Sequence, residues 1–134
     1  MGLISMILRR TTTGFIWWCP GCKAPHSINV GQSSGPNWSW NNDPEKPSFS
    51  PSILVRGTRH DLTDEEEVQF GRDAKTLTRD QLMDHPVYGM RCHSFVEHGQ
   101  MRFLSDCSHE LANQTVPIPK WPYSPEEFHT PKPE

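Results

Sequence analysis

Four cysteines constrain this chain of 134 residues more than any other feature of its sequence. Cys19 and Cys22 flank a Pro-Gly pair, which forces a tight turn, and the β-branched and aromatic residues before them predict a strand that ends at Cys19. Cys92 and Cys107 follow much later in the chain. A Cys-x-x-Cys turn places two thiolates within reach of one cation, and a tetrahedral zinc ion needs two further ligands from elsewhere.

A metal site is favoured over a disulfide or a redox pair. Nothing in the sequence suggests export, and the cytosol keeps thiols reduced. A redox pair is expected at the N-terminus of a helix, whereas the residues after Cys22 do not begin one. The sequence therefore predicts Zn²⁺ bound by Cys19, Cys22, Cys92 and Cys107, with buried free thiols as the remaining alternative.

Three histidines compete for a place in this zinc site, because a neutral imidazole binds zinc as readily as a thiolate. They are His26, His93 and His109. His93 neighbours Cys92 on a predicted strand, so their side chains point to opposite faces and should not both reach one ion. His109 lies two residues after Cys107 and would share its face if the segment is extended. Replacement of a cysteine by His26 or His109 stays open at this point.

The composition favours short strands and turns. Thirteen prolines and nine glycines interrupt the chain, and only 34% of its residues are apolar. We predict a small, mostly β (α+β) domain over residues 1–122, with an antiparallel sheet, a zinc knuckle at the Cys-x-x-Cys turn and a hairpin over residues 90–104. Prolines at 44, 47 and 51 are expected to exclude a central strand before Ser52. Residues 123–134 form a proline-rich tail.

Residues 58–88 differ in character from the rest of the chain. Thr63 with Glu66, and Thr78 with Gln81, each match a capping box, which predicts two short helices. We therefore expect this segment to be a helical insertion on one side of the β domain.

Polar residues gather near the predicted strands beyond what a zinc fold requires. Asp106 paired with His93 or with His109 would form a carboxylate–imidazole pair, which either orients a base or only supports the structure. The residues expected to line one groove are Trp38, Trp40, Asn41, Ser50, Ser52, His93, Ser94, Asp106, His109 and Gln114.

Charge and hydropathy exclude two classes of partner. The net charge is −3 and no basic stripe marks a phosphate-binding face, so nucleic acid is not expected. No stretch approaches the roughly 18 apolar residues of a membrane span. We expect a cytoplasmic protein.

Three stretches of this sequence resemble a known family of small proteins encoded by phages, prophages and bacteria. They are WWCPGCKAPHSINV, WSWNNDPEKPSFSPSILV and CHSFVEHGQMRFLSDCSHELANQTVPIP, and the resemblance covers residues 15–57 and 89–122. The family has no established activity, and its members often carry the name ammonia monooxygenase. That enzyme is a copper protein of the membrane, whereas this chain has no span and is rich in thiols, so we reject the name.

The resemblance implies a phage-type zinc-binding domain, with Cys19, Cys22, Cys92 and residues 106–109 at its motif positions. The chain departs from the family pattern at Ala112-Asn113-Gln114, where a glycine is expected before the glutamine.

Two functions follow from this sequence. The first is an accessory protein with a structural zinc ion that binds a host, defence or virion protein, in the host cytoplasm if phage-encoded. Its candidate binding residues are Trp38, Trp40, Asn41 and His26. The second is a small zinc-dependent hydrolase that uses His93, Asp106 and His109. We prefer the non-enzymatic interpretation, because four cysteine ligands would leave zinc no open position.

Overall fold

The computed structural model describes residues 2–122 of the chain, so the predicted tail at 123–134 lies outside the described residues. Eleven short elements make up this part of the chain. In chain order they are β1 (Gly2–Leu3), β2 (Arg9–Arg10), β3 (Gly14–Cys19), β4 (Ala24–Asn29), β5 (Ser39–Trp40), β6 (Phe49–Thr58), α1 (Asp64–Asp73), α2 (Arg79–Met83), β7 (Gly89–Glu97), β8 (Gln100–Phe103) and β9 (Thr115–Pro117).

The strands form two antiparallel sheets. The first has the order β1-β2-β3-β4, and the second has the order β5-β6-β7-β8-β9. In each sheet neighbours in space are neighbours in sequence, so every connection is a hairpin or a longer loop between adjacent strands. The prediction of a mostly β fold is confirmed, and the predicted hairpin is the β7–β8 pair, with its turn at residues 98–99.

One apolar core draws on both sheets. Trp17 of β3 is fully buried and stacks on Phe49 of β6 with ring centroids 5.2 Å apart, and Phe15 contacts Phe49 at 6.0 Å. Val96 of β7 and Phe103 of β8 belong to the same cluster. Aromatic side chains therefore supply much of the apolar area that joins the two sheets, which offsets the low apolar content of the chain.

The prediction that no central strand precedes Ser52 was wrong. β6 begins at Phe49, contains Pro51 and lies between β5 and β7. Phe49 pairs with Val96 and Ile53 pairs with Ser94, so four steps along β6 oppose two steps along β7. The proline lies in this bulge, where the missing N–H breaks no regular ladder bond.

Both predicted helices are present between β6 and β7, and both capping boxes are confirmed. Thr63 Oγ1 accepts from the N–H of Glu66, while the Glu66 carboxylate accepts from the N–H of Thr63. Thr78 and Gln81 make the equivalent pair at α2. Among the described residues, no helix is long and apolar enough to cross a membrane.

Replacement of Trp17 by alanine should lower the free energy of unfolding by about 3–5 kcal/mol, because it removes the largest fully buried side chain between the sheets. Val68→Ala is the matched control: Val68 is 59% exposed on α1, and its loss should change stability by less than about 0.5 kcal/mol. Urea unfolding followed by tryptophan fluorescence and circular dichroism measures both. Equal effects of the two substitutions would contradict this description of the core.

Candidate functional site

A serine, a histidine and an aspartate are joined in one hydrogen-bonded line on the second sheet. Asp106 Oδ2 accepts from Nδ1 of His93 at 3.2 Å, and the hydroxyl of Ser52 donates to Nε2 of the same ring at 3.1 Å. His93 is thus held between an acid and an alcohol through its two different nitrogens. This arrangement is the one by which a histidine can act as a general base toward a serine nucleophile.

The bulge in β6 presents the serine to this histidine. Ser52 is the last residue of the bulged stretch, immediately before Ile53 returns to regular pairing with β7. The indole N–H of Trp38 donates to the carbonyl oxygen of Ser52 at 3.3 Å and so holds the end of the bulge. Bulges commonly re-aim a side chain beside an active site, and this one brings Ser52 Oγ within hydrogen-bond distance of the ring.

The segment after β8 positions the aspartate. The N–H of Leu104 donates to the carbonyl of His93 at 2.9 Å, and the N–H of Ser108 donates to the carbonyl of Arg91 at 2.8 Å. Between these two bonds, Cys107 Sγ accepts from the N–H of His93 at 3.3 Å and lies 3.2 Å from its carbonyl oxygen. Residues 104–108 therefore follow the open edge of β7, and Asp106 lies beside the histidine.

A cluster of three cysteines and one histidine lies next to these residues. The ligand atoms of Cys19, Cys22, Cys92 and His109 are all within 4.8 Å of one another. Cys19 Sγ is 4.0 Å from Cys92 Sγ, and His109 Nε2 is 3.4 Å from Cys92 Sγ. Cys19 and Cys92 are buried and the other two are half-buried. Such a group could bind a metal ion.

The electrostatics of the cluster suit a cation. The thiols of Cys22 and Cys92 donate to the sulfur of Cys19 and hold its pKa far below the usual range. The same hydrogen bond with Cys19 raises the pKa of Cys22 to about 12, and the pKa of Cys92 is raised as well. Burial lowers the pKa of His109, which favours the neutral imidazole that ligates metals. A bound cation would stabilise the further thiolates.

The Pro-Gly turn approaches His109 closely. A Cβ atom added at Gly21 would overlap the ring of His109, so a side chain at this position would displace the ring from the cluster. The N–H of Cys22 donates to Cys19 Sγ at 3.4 Å, a bond typical of a knuckle that presents two thiolates to one ion. The glycine of the Cys-Pro-Gly-Cys turn is thus required by the cluster.

The cluster differs from the predicted set of zinc ligands at one position. Cys107 is replaced by His109, since the sulfur of Cys107 faces the backbone of His93. His93 does not face the cluster, as its adjacency to Cys92 predicted. His26 is 4% exposed and lies edge-on to Trp17, 6.1 Å between ring centroids, outside the cluster.

The predicted aromatic contact residues are only partly accessible. Trp38 and Trp40 are half-buried and pack against the core, and Trp40 contacts Phe15 at 4.3 Å between ring centroids. Trp40 and Asn41 also line a shallow groove of about 380 Å³ that runs between β5 and β7.

Ser52 was expected only to line a groove, and its hydrogen bond with His93 was not predicted. The stretch SFSPS contains three alternating serines, and no local motif distinguishes the last of them. Its role depends on the bulge and on a histidine 41 positions away, neither of which leaves a sequence signal. The pair of Asp106 with His93 was one of the two pairings expected.

The protein is thus a small two-sheet β protein, in which a cysteine–histidine cluster that could bind a metal ion lies beside a hydrogen-bonded Ser-His-Asp line. The family model described as "Bacterial ubiquitination-like system serine protease (BubE)" matches residues 3–104, more than half of the chain, and the chain belongs to this family. No match to the chain was found among the curated proteins or the solved structures. The family description names a bacterial system, and a phage origin stays a prediction.

The cluster predicts which substitutions remove bound metal. Cys92→Ser and His109→Ala should each lower the metal-to-protein ratio, because each removes one of four converging ligand atoms. Cys107→Ser is the matched control and should retain metal, since the sulfur of Cys107 contacts backbone atoms of His93 instead. Inductively coupled plasma mass spectrometry of the purified variants measures the ratio. Loss of metal in Cys107→Ser with retention in His109→Ala would overturn this assignment.

Proposed function

We propose that this protein is a serine peptidase of a bacterial ubiquitination-like system, with Ser52 as nucleophile, His93 as general base and Asp106 as the acid that orients it. The observation that carries the proposal is the line from Asp106 through both nitrogens of His93 to Ser52 Oγ. The description of the family, which names a serine protease, supports it independently of the geometry.

The proposed reaction uses only groups on the exposed side of the second sheet. His93 Nε2 takes the hydroxyl proton as Ser52 Oγ bonds to the carbonyl carbon of the scissile peptide bond. The C–N bond then breaks as His93 returns that proton to the leaving amine. Water attacks the resulting ester, His93 takes a proton from this water, and the acid product leaves as Ser52 Oγ regains the proton.

Asp106 is proposed to hold the ring in the tautomer that leaves Nε2 free to accept. Its Oδ2 faces Nδ1 of His93, and Nη1 of Arg91 lies 3.9 Å from the same oxygen. A carboxylate in this position also stabilises the imidazolium that forms during each proton transfer.

We propose that the cluster binds zinc and that this zinc is structural. Tetrahedral zinc with sulfur at about 2.3 Å requires sulfur–sulfur separations near 3.8 Å, close to the 4.0 Å between Cys19 and Cys92. Three thiolates and one imidazole complete four-coordination, which leaves no position for water or substrate. The zinc-dependent hydrolase with His93, Asp106 and His109 is therefore not favoured.

A zinc ion bound at the cluster would hold His93 and Asp106 in position. Cys92 and His93 are consecutive in β7, and His109 follows Asp106 by three residues. Both the base and the acid are thus one to three residues from a proposed ligand, so a bound ion would fix the two segments that carry them. Thiolate ligands also favour a reducing compartment, in line with the cytoplasmic location that we propose.

Membership of the family supports protein partners, and we propose that the substrate is a protein of the ubiquitination-like system. This proposal differs from the accessory or interaction protein with a structural zinc ion that we preferred from the sequence, and the hydrogen-bonded line from Asp106 to Ser52 supports the catalytic role instead. The broader expectation of a protein partner is retained.

A fluorophosphonate probe should label the wild-type protein at one site, because it reacts with a serine whose hydroxyl a neighbouring base deprotonates. Ser52→Ala should abolish labelling, and His93→Ala should slow it by about 10²–10⁴-fold. Ser50→Ala is the matched control, an exposed serine of the same strand outside the line, and should label as wild type. Intact-protein mass spectrometry follows the adduct. Undiminished labelling of Ser52→Ala would refute the proposed nucleophile.

A further inference from the structure

The hydrogen bonds that β7 makes on the side away from β6 determine which residues of β6 can bond to β7. The N–H and C=O groups of His93 point toward residues 104–107, and the carbonyl of Arg91 points toward Ser108. Both residues therefore direct their backbone groups away from β6. Their partners across the ladder are Leu54 and Arg56, so these two form the pairs without mutual hydrogen bonds.

Leu54 and Arg56 must then direct their own N–H and C=O groups to the outer edge of β6. Backbone groups alternate along a strand, and the ladder bonds to β7 are made by Ile53, Val55 and Gly57. Ser52 lies two residues before Leu54, so its backbone groups also point to the outer edge. Its carbonyl there accepts a hydrogen bond from the indole N–H of Trp38. The outer edge of β6 is therefore a regular row of donors and acceptors that begins at the proposed nucleophile.

This outer edge is open beyond Ser52. β5 pairs with β6 only at Phe49 and Ser50, and within residues 2–122 no other strand pairs with β6 on this side. No backbone group of the described chain bonds to the outward N–H or C=O of Leu54 or Arg56. An open edge of this kind is a template for an additional strand.

The side chains beside the edge are suited to a polypeptide. Leu54 is 51% exposed on the same face as Ser52 and lies directly across the ladder from His93. On the opposite side of Ser52, the groove of about 380 Å³ is lined by Trp40 and Phe95. An extended chain would find backbone partners at the edge and an apolar surface on each side of the nucleophile.

We propose that the substrate is an extended polypeptide segment that adds to the outer edge of β6 as a strand, hydrogen-bonded to Leu54 and Arg56. This inference rests on the proposed function and names the substrate class of that site. The added strand lies about 4.8 Å from β6. Because the indole of Trp38 lies against the carbonyl of Ser52 at this edge, pairing stops there, and the segment crosses toward His93 with its scissile bond at Ser52 Oγ.

A strand can be added only by a chain that is free to extend. Peptide bonds inside a folded helix or sheet have their backbone groups already paired, so they cannot bond to Leu54 and Arg56. The substrate segment is therefore a flexible tail or linker of its protein, and cleavage depends on backbone pairing more than on a single side chain.

The test compares Leu54→Pro with its matched control Leu54→Ala. Proline removes the outward N–H and leaves the ladder bonds of Ile53 and Val55 intact, whereas alanine keeps that N–H and removes only the side chain. The substrates are reduced, carboxymethylated α-lactalbumin, an unfolded polypeptide, and p-nitrophenyl acetate, a small ester that cannot pair with a strand. The ester reports whether Ser52 is intact in each variant.

We expect Leu54→Pro to lower kcat/KM for the polypeptide by about tenfold or more, since it loses a backbone hydrogen bond and the pairing that depends on it. Hydrolysis of the ester serves as the reference rate, so the ratio of polypeptide to ester kcat/KM should fall about tenfold in Leu54→Pro, and Leu54→Ala should cleave the polypeptide faster than Leu54→Pro. The inference is wrong if the two variants cleave the polypeptide equally fast. It is also wrong if the wild-type protein hydrolyses the ester but does not cleave the polypeptide. Failure of wild type on both substrates, with no fluorophosphonate adduct, sinks the proposed function instead.

Amide exchange provides a measurement that needs no proline. In the Ser52→Ala variant, excess carboxymethylated α-lactalbumin should slow hydrogen exchange at the amides of Leu54 and Arg56, measured by NMR. The amides of Ile53 and Val55 already bond to β7, and their exchange should change little. No slowing at Leu54 and Arg56 contradicts strand addition even if Leu54→Pro fails to fold.

Discussion

The two-residue period of β7 is the constraint on which both sites depend. Consecutive side chains of a strand point to opposite faces, so Cys92 enters the cysteine–histidine cluster while His93 faces Ser52 and Asp106. A shift of one residue in the register of β7 against β6 would exchange these faces and destroy both sites together. The backbone bonds of residues 104–108 to the other edge of β7 fix the same register from the opposite side.

The helical segment between β6 and β7 places charge beside the Ser-His-Asp line. Asp84, the C-cap residue that follows α2, lies 2.8 Å from Arg56 and 3.5 Å from Arg91. Arg91 in turn lies between Asp84 and Asp106, so one guanidinium lies beside two carboxylates. These pairs are partly exposed and each contributes little to stability, but together they link this segment to the acid of the Ser-His-Asp line.

The parts predictable from the sequence were those with local signals. The Cys-Pro-Gly-Cys turn, the two capping boxes and the β7–β8 hairpin are each specified by a few neighbouring residues, and all are present. The strand through Pro51 was missed because its proline lies in a bulge that pairing partners far along the chain create. The two-residue strands β1 and β2 are too short to carry a periodic pattern, so neither was predicted.

The fourth member of the cluster illustrates the same limit. The spacing in the sequence allows either Cys107 or His109 as the fourth member of the cluster. Which of them joins it depends on which side chain the segment after β8 turns toward Cys92. The Ser-His-Asp line has the same origin: its three residues come from a bulge, a strand and a loop, separated by 41 and 13 positions. Long-range pairing of β6 with β7 brings them together.

A crystal structure of the protein after reaction with diisopropyl fluorophosphate would show which residue is the nucleophile and which side chains bind the metal ion. We expect phosphorus bonded to Ser52 Oγ, with His93 still hydrogen-bonded to Asp106. We also expect a single tetrahedral ion, bound by Cys19, Cys22, Cys92 and His109 and not in contact with the adduct. An adduct on another residue, or a metal ion coordinated by the adduct, would contradict these assignments.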